Sequence, residues 1–176
     1  MNIKNLVLLG LISLVAGCAS DMKKDDGSAG GNAGWESSTG SDLPDPNALG
    51  IKGDFDPERD LDFDTLRSDT VYYDYDRATV KASERPKLEA VAIYLKANPK
   101  ATLYVVGHCD VRGTMEYNRT LGEKRANSAR DFLMGQGING NRIGTLSYGS
   151  EKPAVQGDGE DAYAKNRRSE FGLVKK

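Results

Sequence analysis

The stretch LYVVGHCDVRGTMEYNRTLGEKRANSARDFLM, residues 103–134, changes from one hydrophobic pattern to another along its length. Its first four residues, Leu103–Val106, are apolar and mostly β-branched or aromatic, and Gly107 follows them, which predicts a buried strand. From about Tyr117 to Met134 the apolar spacing is that of a helix, and Gly135 predicts its end. A strand that leads into a helix predicts an α/β fold.

The chain on either side of this stretch alternates in the same way. Val71–Tyr75 predicts a first strand. Ser83 is expected to cap a helix with apolar residues at i, i+3, i+4 and i+7, which Asn98 ends. Two more strands are predicted over Ile143–Tyr148 and Ser169–Val174, with one short helix between them. We therefore predict one α/β sandwich, in which two main helices pack on a mixed four-stranded sheet.

The N-terminus has the features of an export signal. Lys4 is followed by an apolar run of about ten residues, which is shorter than the ~20 residues that span a bilayer. Val15-Ala16-Gly17-Cys18 resembles the lipobox of bacterial lipoproteins. It predicts a signal peptide over residues 1–17 and acyl chains on Cys18, and Ala19 favours the outer membrane over the inner one. The alternative is an ordinary signal peptide with a chance cysteine.

Residues 18–66 predict a flexible linker after the lipidated cysteine. Within them, residues 27–40 hold five Gly and three Ser, and residues 19–66 carry 12 acidic against 4 basic side chains. Trp35 is either an incidental linker residue or an aromatic that docks on a partner. The folded domain is accordingly predicted over residues 67–176.

Composition excludes several functions. The 176 residues carry 24 Lys+Arg against 26 Asp+Glu, so the net charge of −2 does not favour nucleic-acid binding. Two cysteines and one histidine cannot form a disulfide scaffold or a histidine-rich metal centre, and no metal or cofactor is expected besides the lipid. His108, Cys109 and Asp110 are adjacent and therefore point in alternating directions, which does not make a nucleophile–base pair. Cys109 is expected to be buried, and no catalytic residue is predicted.

One charged residue lies where an apolar one is expected. Arg125 follows Leu121 and precedes Ala129 by four residues each, on the helix stripe that should face the sheet. A buried guanidinium is costly unless an anion meets it, and Asp110 is the natural candidate. The pair is either a structural salt bridge or the two poles of a pocket for an amino-acid head group, whose carboxylate suits an Arg fork. Spacing alone leaves both interpretations open.

Several motifs occur together in a fixed order over about residues 70–172. They are Gly107–Asp110, Arg112–Thr114, Tyr117-Asn118, Leu121–Ala126, Ser147–Gly149, Glu151–Val155 and Asn166–Arg168. Together these motifs resemble the OmpA-like peptidoglycan-binding domains, and among these the peptidoglycan-associated lipoproteins.

The resemblance implies a site for the meso-diaminopimelate of uncrosslinked peptidoglycan stems. By position in the motifs, Asp110 would hold an ammonium of this residue and Arg125 a carboxylate. Either Arg167 or Arg168 would touch the ligand, and the sequence does not decide which. The rest of the pocket would be formed by Asn118, Leu121, Tyr75 and Asp76.

The resemblance also implies a function and partners. We expect a lipid-anchored outer-membrane protein whose domain faces the periplasm and binds peptidoglycan, with TolB and TolA as protein partners and a role in cell division. A peptidoglycan-cleaving enzyme is disfavoured because no activated nucleophile is predicted. A second alternative is an OmpA-like lipoprotein that serves another envelope machine.

Overall fold

The computed structural model describes residues 54–175. The predicted signal peptide, Cys18, Trp35 and the linker up to residue 53 lie outside the described residues. The helices are α1 (Pro57–Asp60), α2 (Arg85–Ala97), α3 (Met115–Gly135) and α4 (Glu160–Asn166). The strands are β1 (Leu61–Asp62), β2 (Val71–Tyr72), β3 (Leu103–His108), β4 (Ile143–Gly149) and β5 (Arg168–Val174). Three 3₁₀ turns cover Arg67–Asp69, Ala82–Glu84 and Gly140–Arg142.

The strands form one mixed sheet in the order β1-β5-β3-β4. Strand β2 also pairs with β5, along the same edge of β5 as β1. β3 and β4 are parallel, because α3 carries the chain back between them, and the other pairs are antiparallel. The predicted α/β sandwich, with a mixed sheet and two main helices, is confirmed.

The sheet has five strands where four were predicted. The additional strand β1 pairs Leu61 with Val174 at the end of β5, and Leu61 and Leu66 are buried. Leu61 and Leu66, which the sequence assigned to the linker, therefore pack within the folded part of the described residues. Two residues of strand within an acidic segment give no readable period, which is why the sequence did not indicate them.

The helices α2 and α3 cover one face of the sheet. Their apolar stripes pack on the inward side chains of β3, β4 and β5, and β3 is buried along its whole length, as expected of a central strand. A smaller apolar cluster covers the other face, where Leu61, Phe55 and Phe63 pack around Tyr104 and Val106.

The helix starts differ from the predictions at two points. Ser83 lies inside the 3₁₀ turn before α2 and caps no helix, since Pro86 is suited to the first turn and the helix begins at Arg85. α3 begins at Met115, two residues before the predicted start. Thr114 caps it, and its Oγ1 accepts a hydrogen bond from the backbone N–H of Tyr117 at 3.2 Å.

Two glycines bring α3 into direct backbone contact with β3. A Cβ atom on Gly107 would lie 1.9 Å from the carbonyl oxygen of Gly122, so only glycine fits at this position. This close approach sets the loop that follows β3 directly beside the N-terminal half of α3. Asp110 lies on that loop, and Arg125 lies on that helix.

Candidate functional site

A small cavity of about 60 Å³ opens where β3 ends and α3 begins. All six residues that were predicted to bind the ligand line this one cavity. They are Tyr75, Asp76, Asp110, Asn118, Leu121 and Arg125. Their role in binding stays a prediction, but the structure brings them together from three separate parts of the sequence.

Asp110 forms an anionic wall of the cavity and is 4% exposed. Its Oδ1 accepts hydrogen bonds from the backbone N–H and Nε of Arg112, and its Oδ2 accepts from the guanidinium groups of Arg112 at 2.6 Å and Arg167 at 3.3 Å. Burial alone raises the pKa of Asp110, but these hydrogen bonds lower it more, and the net pKa lies below the usual value. Asp110 is therefore ionised at neutral pH.

Arg125 forms the cationic wall and is 1% exposed. Its Nε donates to the carbonyl of Arg77, one terminal nitrogen donates to the carbonyl of His108, and the other donates to the carbonyl of Asp74. These acceptors are neutral, and within residues 54–175 no carboxylate forms an ion pair with this guanidinium. Burial lowers the pKa of Arg125, but an arginine remains charged in proteins.

The two walls do not neutralise each other. The salt bridge between Asp110 and Arg125, one of the two interpretations of the sequence, is not formed, because Asp110 pairs with Arg112 and Arg167 instead. Arg125 has five N–H donors, and four are used, the fourth by the Sγ of Cys109 at 3.3 Å. In the part of the chain that the structure describes, one N–H of the terminal nitrogen that binds Asp74 has no acceptor.

Tyr73 contacts both buried arginines of the site. Its hydroxyl donates to the carbonyl of Arg125 at 3.0 Å, and its ring lies 5.2 Å from the Arg125 guanidinium. Its own carbonyl accepts a hydrogen bond from Nε of Arg167 at 3.1 Å. Burial raises the pKa of Tyr73 to about 12, so the hydroxyl keeps its proton and stays a donor.

Asn118 and Cys109 fix the loop below the cavity. The Asn118 amide donates to the carbonyls of Asp110 and Arg112, and the Cys109 thiol donates to the carbonyl of Asn118. Burial raises the pKa of Cys109 to about 11, so this thiol is neutral and unreactive at neutral pH. The prediction that Cys109 is buried is confirmed.

The outer wall is aromatic. Tyr75 is exposed at the rim, and Asp76 next to it has a φ of 53°, a left-handed conformation that Asp tolerates better than most residues. The Tyr117 hydroxyl donates a hydrogen bond to Asp76 and so connects this wall to α3.

Sequence reasoning gave Arg112 no role and left undecided which of Arg167 and Arg168 reaches the site. Arg112 was quoted as part of a motif without a role, and it lies between the rings of Tyr75 and Tyr163, 4.1 and 4.4 Å from their centres. Arg167 is the member of the Arg167-Arg168 pair that reaches Asp110, and Arg168 binds Glu170. Position in the motif gave the only available signal for Arg112.

The described residues contain no cluster of three or more His, Cys, Asp or Glu side chains that is arranged to hold a metal ion. Among those same residues, no helix is long and apolar enough to span a membrane. What the cavity offers is one buried carboxylate and one buried guanidinium with a free donor. That pair of opposite charges suits a small zwitterion.

Comparisons with known proteins find a matching family model and similar sequences and structures. Residues 72–167 match the model of the OmpA family. The chain is 35% identical to the peptidoglycan-associated lipoprotein of Haemophilus influenzae over 95% of both chains. Its structure is similar to the crystal structure of the peptidoglycan-associated lipoprotein from Burkholderia pseudomallei, with a TM-score of 0.58, 36% identity, and coverage of 59% of this chain and 88% of that one.

A third similarity is to the cell wall anchor of the T6SS from Pseudomonas aeruginosa. The TM-score is 0.52 at 26% identity, and the alignment covers 61% of this chain and 80% of that one.

Proposed function

This chain belongs to the OmpA family, and we propose that it is an outer-membrane lipoprotein whose folded domain binds the meso-diaminopimelate of peptidoglycan stem peptides. The relatives are named as lipoproteins and not as enzymes, and this chain is likewise a binding protein and not an enzyme.

The observation that carries the proposal is the state of Arg125. A buried cation that meets only neutral acceptors is costly, and an anionic ligand would remove most of that cost. Arg125 lines the cavity and has one N–H without an acceptor among residues 54–175, so a carboxylate of the ligand would be its counter-ion.

Asp110 supplies the second pole. An amino-acid head carries an ammonium next to its carboxylate, and the ionised Asp110 across the cavity would accept it. The side chain of diaminopimelate ends in such a head, whereas the side chain of lysine ends in an ammonium alone. Arg125 would therefore select diaminopimelate-type stems, because only they bring the second carboxylate.

The rest of the chain would attach this domain to the membrane. Acyl chains on Cys18 would hold the N-terminus in the outer membrane, and residues 19–53 would span towards the cell wall. In this arrangement the protein links outer membrane and peptidoglycan without a covalent bond to the wall. TolB and TolA would be its protein partners, with a role in constriction of the envelope at division, as in the peptidoglycan-associated lipoproteins.

A second candidate function is favoured by the similarity to the T6SS cell wall anchor. The same peptidoglycan grip would then serve another envelope machine. Crosslinking in cells separates the two, since the Tol assignment predicts an adduct between this chain and TolB. A strain that lacks TolB is the control, in which this adduct should be missing.

The test of the binding site is co-sedimentation of residues 19–176 with purified sacculi. We expect the wild type to pellet with diaminopimelate-type sacculi and to stay in solution with lysine-type sacculi. Asp110→Asn and Arg125→Met should each stay in solution with both, because each removes one charge at nearly constant volume. Losing one member of a buried charge pair costs about 2–5 kcal/mol of binding.

Lys124→Ala is the matched control, since Lys124 neighbours Arg125 on α3 and is exposed. It should pellet like the wild type, and circular dichroism should show every variant folded. If folded Asp110→Asn and Arg125→Met pellet as well as the wild type, the cavity is not the peptidoglycan site.

A further inference from the structure

We propose that the side chain of Arg112 is an internal competitor of the ligand. It occupies Asp110 in the place where the ligand's ammonium would bind, and it must leave before the ligand can enter. This inference rests on the proposed function, because it names Asp110 as the ammonium site.

The hydrogen bonds of Asp110 carry the argument. Both carboxylate oxygens already accept from the Arg112 guanidinium, Oδ1 at 3.2 Å and Oδ2 at 2.6 Å, in the two-pronged geometry of a strong Arg–carboxylate pair. Oδ1 also accepts from the backbone N–H of Arg112, and Oδ2 accepts from Arg167. An ammonium can reach the carboxylate only by replacing one of these donors.

Arg112 is the donor that is able to move. Its side chain is 34% exposed, whereas that of Arg167 is 7% exposed and is also held by the Tyr73 carbonyl and by Glu160 at 2.6 Å. If the ligand displaces Arg112 from Asp110, only one partly exposed side chain has to move. If it displaced Arg167, a buried set of contacts would be broken.

A second position for the displaced guanidinium already exists. Arg112 lies 3.7 Å from Oε2 of the exposed Glu160, and it is stacked between the rings of Tyr75 and Tyr163. Rotation away from Asp110 would keep the charge beside Glu160 but would give up contact with the two rings, so the stacking favours the position on Asp110. The displacement also enlarges the cavity, because Arg112 is one of its lining residues.

The loop does not depend on this side chain. Asn118 holds the carbonyls of Asp110 and Arg112, and Gly113 makes the turn into α3 with a φ of 95°. Both features hold the backbone of the loop and do not involve the Arg112 side chain. A substitution that shortens this side chain should therefore leave the loop and the other walls of the cavity in place.

Competition has a definite consequence for selectivity. Every ligand with an ammonium must displace Arg112, so the competitor weakens all of them by the same factor. A simple amine gains only Asp110 in exchange and is held below useful affinity, whereas a zwitterionic head also gains Arg125. The ratio of the two affinities is set by Arg125 and not by Arg112.

The experiment is a titration of the folded chain, residues 19–176, with meso-diaminopimelate and, separately, with 1,5-diaminopentane, which lacks both carboxylates. Binding is followed by NMR, which measures weak constants. If Arg112 occupies Asp110 about nine-tenths of the time, Arg112→Gln should bind both ligands about tenfold more tightly than the wild type. The ratio between the two ligands should not change.

Arg119→Gln is the matched control, since it makes the same chemical change at an exposed position of α3 outside the cavity. It should bind like the wild type. A second readout is the Nε–H resonance of Arg112, which should shift towards the value of a free guanidinium when the wild type is saturated with meso-diaminopimelate.

Three other outcomes are informative. If the wild type binds and Arg112→Gln binds equally or more weakly, Arg112 is not a competitor, and the proposed function stands. If Arg112→Gln gains affinity for meso-diaminopimelate alone, the side chain does not act at the ammonium site that both ligands share, which also overturns the inference. If neither chain binds either ligand, the proposed function fails, and the inference fails with it.

Discussion

Two buried arginines on opposite sides of the same sheet are neutralised in different ways. Arg168 is 6% exposed and binds Glu170 at 2.7 Å, with the carbonyls of Asn166 and Lys152 as further acceptors. Arg125 is 1% exposed and is held by neutral groups alone within the described residues. The first cation carries its counter-ion inside the fold, and the second faces a cavity without one.

The difference separates stability from function. An arginine paired with its own carboxylate is complete and needs no ligand, so the Arg168–Glu170 region contributes to the fold. Arg125 is fixed in place by three backbone carbonyls and left with a charge to satisfy, which is what a preorganised anion site requires. Substitutions in the Arg125 region should therefore weaken binding, whereas substitutions in the Arg168 region should affect stability and leave binding unchanged.

The largest expected effect is the contrast between Arg125→Met and Arg168→Met. Both remove a buried guanidinium while keeping a long apolar side chain, and both should lower the free energy of unfolding. Only Arg125→Met should lose binding to diaminopimelate-type sacculi, by about 2–5 kcal/mol. Co-sedimentation and denaturant unfolding measure the two effects separately, and loss of binding by a folded Arg168→Met chain would break the comparison.

The next-largest effect should be a loss of stability that affects both regions together. Gly107 lies on β3 between the two regions, and an added Cβ would collide with the Gly122 carbonyl, so Gly107→Ala should lower the free energy of unfolding by about 3 kcal/mol. Gly135→Ala is the control, because nothing lies within 4 Å of a Cβ there. Urea unfolding should show the first variant clearly destabilised and the second unchanged or slightly more stable; equal stability of the two would contradict the close helix–strand contact.

Low pH should destabilise the Arg168 region even when no ligand is present. Burial raises the pKa of Glu170, but His108 at 3.5 Å and the Arg168 guanidinium lower it more, to about 2. The stabilisation from this depressed pKa is present above the usual value of 4.5 and is lost as the pH falls towards 2. Allowing for its partial exposure, this is about 2 kcal/mol.

The measurement is the free energy of unfolding between pH 5 and pH 2. The wild type should lose about 2 kcal/mol more than Glu170→Gln over this range, because the amide cannot titrate. Glu170→Gln should still bind sacculi at neutral pH. Equal slopes for the two chains would mean that Glu170 is not the counter-ion that distinguishes this region.

How far the sequence predicted these regions depends on how local each signal was. Arg125 was found because a charge on an apolar helix stripe breaks a 3.6-residue period, and Asp110 was found because it is an acidic residue in the loop after the predicted strand. Strand β1 was missed because two paired residues give no period. The Asp110–Arg125 pairing could not be decided, because the arginines that neutralise Asp110 come from a loop and from a point 57 residues along the chain.

The same limit applies to Arg112. Its stacking partners Tyr75 and Tyr163 are far apart in sequence, and neither alone indicates a sandwiched guanidinium. Only the fold brings α4 over the cavity, so the contact that controls access to Asp110 depends on tertiary structure and has no short-range pattern.

The smallest expected effect tests that contact through a residue that does not line the cavity. Tyr163 touches Arg112 with its ring, so Tyr163→Leu should loosen Arg112 and raise the affinity for meso-diaminopimelate by about two- to fivefold, the equivalent of an exposed cation–π contact of about 0.5–1 kcal/mol. Tyr148 is the counterpart of Tyr163 in the Arg168 region. The Nζ of Lys152 lies 4.1 Å from the centre of its ring, which is near His108 and away from the cavity. Tyr148→Leu loses the same kind of contact and should leave binding unchanged in the same titration. A gain of affinity in both variants would mean that loosening the domain as a whole is enough, and that the stack on Arg112 has no special role.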